Sequence, residues 1–164
     1  MKDPSWQSRV DYGRRMDYCC ASTETMQQML DDKRIPVQYW AQPKKGHWNA
    51  QTEKGFREKA GAPLLIGAEV FQKWNAVFHR MQQELEHEEV RNHSLGMFAI
   101  TMTAELLKPE TILLVGFDNL VNPMLLDYWK ANRGKWTSQH DWLAEHAMLK
   151  MIEQQTQTRI TPWA

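Results

Sequence analysis

A chain of 164 residues with 42% apolar and 24% charged side chains falls in the range that one hydrophobic core serves, which excludes a disordered or repeat-built protein and predicts a single folded domain. Twenty Lys plus Arg balance twenty Asp plus Glu, so the long-range field that draws proteins to phosphate backbones or anionic membranes is missing and nucleic acid is not an expected partner. The only two cysteines, Cys19 and Cys20, are adjacent in an apolar run where strand geometry turns them to opposite faces. Reduced thiols, no signal-peptide pattern, and an apolar stretch around Leu95–Leu107 too short to cross a bilayer predict a soluble, cytoplasmic protein with no integral membrane segment.

Residues 1–15 are polar, contain Pro4 and Gly13 and show no apolar period; they are expected to form an arm or loop ahead of a domain over residues 16–164. Met16–Ala21 predicts the first strand, and Ser22 caps an expected helix through Leu30 with Glu24 in its first turn. Ile35–Trp40 predicts the second strand, with Pro36 tolerated near its start. Residues 42–61 are polar and punctuated by Pro43, Gly46, Gly55 and Gly61. They are expected as a long functional loop with a short helix over Glu53–Lys59.

Leu64–Ile66 predicts a short buried strand. The series Val70, Phe71, Trp74, Val77, Phe78, Met81 and Leu85 then predicts a helix over Ala68–Arg91 that ends in a solvated acidic run. Ser94 caps a second helix, Leu95–Leu107, whose nearly uniform apolar character predicts burial on most sides. Lys108-Pro109-Glu110 stops it. Thr111–Val115 reads as a strand of a parallel sheet covered on both faces, and a helix from about His140 to Gln155 precedes a final strand near Thr158–Thr161. The alternation of strands and helices predicts an α/β fold with a doubly wound, mostly parallel, Rossmann-like sheet.

In such a sheet ligands bind beyond the carboxyl ends of the strands. Gly116, Asp118 and Asn119 follow the most apolar strand, where the glycine permits close approach and the two polar residues can bond hydroxyls. Projected at about 100° per residue, His140 falls within the stripe of Leu143, Ala144, Ala147, Met148 and Met151, and the helix dipole there favours the neutral imidazole that a general base needs. A histidine buried for packing or capping satisfies the same pattern. Ser94 and Gly96 open the central helix, whose free amides suit a phosphate or carboxylate, although a serine N-cap needs no ligand to explain it. The histidine spacings and the absence of paired thiolates disfavour a metal. Neither a P-loop, a G-x-S-x-G turn nor zinc-deaminase cysteines occur.

The stretch Ser94-Leu95-Gly96-Met97-Phe98-Ala99-Ile100, with Leu106 and then Ile112-Leu113-Leu114-Val115-Gly116-Phe117-Asp118, resembles the small sialylmotif and following strand of sialyltransferase-like glycosyltransferases. His140-Asp141-Trp142-Leu143-Ala144-Glu145 is similar to that group's motif of a histidine, four residues and a glutamate. The resemblance implies a metal-independent enzyme without a cofactor. It implies a nucleotide sugar, CMP-linked, as donor, bound over Ser94 and Gly96, His140 as base toward a hydroxyl acceptor, and Glu145 in support; Gly116, Asp118 and Asn119, from the strand-end reading, are expected beside the donor. That family begins with a strand and a Gly-Asn-rich turn not found before Met16, so the resemblance also implies an amino-terminally shortened chain with an exposed sheet edge.

The alternative is a catalytically inactive scaffold that binds a protein partner, or a second copy of itself, through a tryptophan-rich surface including Trp40, Trp48, Trp129, Trp136 and Trp163.

Overall fold

The computed structural model describes residues 17–22, 38–43, 50–60, 63–86, 91–115 and 141–162. It is mixed α/β, with strands in a three-stranded and a two-stranded parallel sheet among those residues. The chain divides after Ala68 into two compact units.

In the first unit the strands are β1 (Tyr18–Ser22), β2 (Gln38–Gln42) and β3 (Leu64–Ile66), all parallel in the order β1-β2-β3. Both cysteines are free, and only Cys19 is in the core. Burial, reinforced by Cys19, pushes the Cys20 thiol far above its ordinary value, so it is a poor nucleophile. The central strand buries Tyr39, Trp40 and Ala41 in succession, as a strand covered on both faces must. On one face Tyr39 meets Phe56 edge-on at 5.1 Å; on the other Trp40 stacks on Tyr18 at 4.5 Å.

Phe56 belongs to helix α1 (Ala50–Ala60), which contains the short helix expected over Glu53–Lys59 and extends it at both ends. Phe56 and Ala60, one turn apart, drop into the core with Leu64, and Arg57 Nε donates to Glu53 Oε1 at 2.9 Å on the outer face. Tertiary burial of one phenyl ring and an i,i+4 ion pair outweigh the glycine in its middle. Trp40 also corrects the tryptophan-rich surface: it is 2% exposed and donates Nε1 to Gln38 Oε1. The other four tryptophans of that surface, the polar arm 1–15 and the helix expected from Ser22 to Leu30 lie outside the described residues, apart from Ser22 in β1.

The second unit opens with α2 (Ala68–Glu84), whose buried residues Trp74, Phe78 and Gln82 recur every fourth position. It stops short of Arg91, with Glu86 at φ 55° just beyond its end. Helix α3 (Leu95–Met102) continues into a π-helical segment, Thr103–Leu107. At the junction the Thr103 amide serves both Ala99 and Ile100 carbonyls while its hydroxyl donates to Ala99. Lys108, at φ 47°, ends it. Lys73 Nζ and Trp74 Nε1 both reach Glu105 Oε1 and tie α2 to this segment.

Strand β4 (Thr111–Leu114) pairs in parallel with β5 (Arg159–Pro162) across the helix α4 (Trp142–Thr156) between them in sequence. Ile112 and Leu114 join the core, but Leu113 is 51% exposed and Val115 70%, so β4 is not covered on both faces as expected. Alternation gives the strand two faces, and only one meets the core formed by Trp74, Phe78, Met97, Ile100, Met148 and Ile152. Likewise the far end of the central helix is not enclosed: Leu106 and Leu107 are each 44% exposed. Among the described residues no helix is long and apolar enough to cross a membrane.

Candidate functional site

Ser94 terminates the extended link 91–94 with φ −66° and ψ 166°, and its hydroxyl accepts the Met97 amide at 3.2 Å. A local capping box would place Glu or Gln three residues after the serine to return a bond to its own N–H. Here that position holds Met97, which is buried in the core, and the carboxylate comes from another helix. Glu145 Oε1 accepts the Ser94 amide at 2.7 Å and Oε2 accepts the Ser94 hydroxyl at 3.0 Å, across 51 residues of chain. The two motifs that suggest chemistry in the sequence therefore meet.

Glu145 lies in the first turn of α4 and is fully buried. That turn is anchored by Asp141, the actual N-cap, whose Oδ1 accepts the Ala144 amide at 3.1 Å. Asp141 Oδ2 accepts from Gln82 Nε2 at 3.0 Å, and Gln82 Oε1 accepts the Arg91 amide at 3.1 Å. Asn75 completes the hold: its Oδ1 accepts the His93 amide at 3.3 Å and its Nδ2 donates to Asn92 Oδ1 at 3.0 Å. Each residue of 91–94 is thus bonded by a side chain from α2 or α4, so the amino end of α3 is supported without secondary structure of its own.

His93 is 2% exposed and ringed by Phe71 at 4.9 Å, Phe78 at 6.1 Å and Phe98 at 6.5 Å. Its Nδ1–H donates to the Ser94 carbonyl at 3.1 Å. Burial, with some repulsion from His79, lowers its pKa to about 4 against the pull of the Ser94 and Phe71 carbonyls. Glu145 is shifted the opposite way. Burial, with Asp141 adding to it, raises its pKa to about 7 despite both donors of Ser94.

Of the residues singled out in the sequence, Ser94 and Glu145 are in contact and Gly96 is half-buried in the first turn of α3. Gly116, Asp118, Asn119 and His140 lie outside the described residues. The expected start of the last helix at His140 moves to Trp142, because Asp141 supplies the cap. The buried stripe moves too, by one residue, to Ala144, Glu145, Met148, Leu149 and Ile152. A projection that ranks positions by hydrophobicity excludes Glu145 from the inward face, yet the Ser94 donors make its burial tolerable. Gln82 and Asp141 were missed for related reasons. Gln82 is a polar residue in register with Trp74 and Phe78, and Asp141 is an Asp just before a helical run; both signals are present in the sequence.

Helix geometry leaves the Leu95 and Gly96 amides without intrahelical acceptors, and these are the groups at this end that suit an anionic ligand. Among the described residues no group of three or more His, Cys, Asp or Glu is placed to hold a metal ion. Comparison with family models, with curated proteins and with solved structures finds no match to this chain.

Proposed function

We propose that the protein is a sialyltransferase-like glycosyltransferase that moves a sugar from a CMP-linked donor to a hydroxyl acceptor, on a doubly wound, Rossmann-like sheet. The observation that supports this reading is the paired hydrogen bonding of Ser94 with Glu145, since it joins the serine-glycine turn to the glutamate of the second motif. In this reading the Leu95 and Gly96 amides take the donor phosphate, and the Ser94 hydroxyl, already engaged by Glu145 and Met97, shapes the turn. The same reading assigns Gly116, Asp118 and Asn119, outside the described residues, to donor binding. His140 takes the acceptor's hydroxyl proton as that oxygen bonds to the anomeric carbon, and the nucleotide phosphate leaves with the electron pair of the broken bond. Free cysteines fit a reducing compartment, and we place the protein in the cytoplasm. Calorimetry with CMP and other nucleotides, together with a transfer assay that supplies a CMP-linked sugar and a hydroxyl acceptor, on the wild type and His140→Ala tests the reading. We expect CMP binding in both and transfer only in the wild type; no heat with any nucleotide at millimolar concentration overturns it.

A second reading is favoured by the exposed Leu113 and Val115: a scaffold without catalysis that binds a protein partner or a second copy through this edge of the fold. Light scattering separates the two. A dimer that Leu113→Lys dissociates supports the scaffold, and a strict monomer that binds CMP supports the transferase.

A further inference from the structure

Ser94 has its amide and hydroxyl bonded to Glu145 and its carbonyl bonded to the His93 imidazole. We propose that His93 and Glu145 form a pH-compensating clamp on Ser94, in which folding in mildly acidic solution takes a proton from the imidazole and places one on the carboxyl.

The geometry supplies the reason. His93 sits among Phe71, Phe78 and Phe98 beside the amino end of α3, where an imidazolium would be desolvated and would face the positive end of the helix dipole. Glu145 is sealed against Ser94, with Asp141 on its own helix as the acidic neighbour and neutral Gln82 of α2 bonded to that acid. The titratable group acting on His93 from α2 is His79, whose Nε2 accepts from Asn75 Nδ2 at 3.0 Å. Charge on His93 is therefore opposed by burial and by His79, and charge on Glu145 by burial and by Asp141, which together outweigh the two donors of Ser94.

The two shifts act on stability with opposite signs. Glu145 is raised from 4.5 to about 7, so the folded state holds the extra proton between those values; its contribution is complete below pH 4.5 and is lost as the pH rises through 7. His93 is lowered from 6.5 to about 4, so its contribution is complete above pH 6.5 and is lost as the pH falls through 4. Where the windows overlap, from 4.5 to 6.5, the proton gained at Glu145 on folding balances the one released at His93. The junction of α3 with α4 then keeps its stability across a range in which either residue alone would make it pH-sensitive.

The test compares thermal midpoints of the wild type, Glu145→Gln and His93→Asn from pH 4.5 to 7.5, each variant read as its difference from the wild type. The Glu145→Gln midpoint should gain several degrees on the wild type as the pH rises, and the His93→Asn midpoint should gain several degrees as it falls. Differences that do not change with pH overturn the proposal. If either variant does not fold, NMR titration of the wild type decides the matter. A Glu145 carboxyl carbon that titrates near 7, with a His93 ring still neutral at pH 5, supports the clamp. A Glu145 midpoint near 4.5 or a His93 midpoint near 6.5 overturns it.

Discussion

Glu145 completes from a distant helix the capping arrangement that Ser94 begins: one carboxyl accepts both the Ser94 amide at 2.7 Å and its hydroxyl at 3.0 Å. A cap that is normally a matter of four consecutive residues has become a tertiary contact. The start of α3 and the start of α4 are consequently one structural unit, and disturbing either should be felt at the other.

Replacing Ser94 by Ala removes the acceptor for the Met97 amide and the hydroxyl donor to Glu145. We expect a loss of about 1–2 kcal/mol in unfolding free energy, measured by urea denaturation. A change below about 0.3 kcal/mol would mean that water replaces the cap at no cost.

The coupling between the two residues can be measured directly. Glu145→Ala leaves the half-buried Ser94 amide without its carboxylate and should cost about 2–4 kcal/mol, more than the near-isosteric Glu145→Gln. In a double-mutant cycle of Ser94→Ala with Glu145→Gln, the interaction energy should be about 1 kcal/mol, and strict additivity would contradict the contact.

Gln82→Leu makes the helix more apolar and should nevertheless destabilise the protein by about 1–3 kcal/mol. The leucine strands Asp141 Oδ2 and the Arg91 amide, the two groups that Gln82 bridges. Hydrogen exchange should show faster exchange at the Arg91 and Ala144 amides; unchanged exchange there would show that Gln82 is only filling space.

In the first unit, Phe56→Ala should cost about 3–5 kcal/mol, since the ring is fully buried against Tyr39 and the surrounding core. Near-ultraviolet circular dichroism and denaturation together check this. A cost below about 1 kcal/mol would mean that the ring adds little to the core of this unit.

Much of the local structure was legible before the fold was known. The Leu64–Ile66 strand has the expected bounds, Ser94 is a cap, and Lys108-Pro109-Glu110 stops the central helix. These features depend on neighbours within a few residues, where turn chemistry and periodicity act. The misplaced features are those that depend on distant partners. Helix α1 runs beyond the expected Glu53–Lys59 as Phe56 and Ala60 enter the core, and β4 shows Leu113 to solvent because the core lies on one side of it.

The same division runs through the candidate site. Sequence alone determined that Ser94 begins a helix, that Gly96 lies in its first turn and that the described strands from β2 onward alternate with helices, because backbone conformation answers to local spacing. Only tertiary structure decided that Glu145 faces inward, that Gln82 bridges two chain segments and that His93 lies among phenyl rings. The physical reason is that a polar side chain enters a core only when a partner repays its lost hydration, and that partner can be 51 residues away.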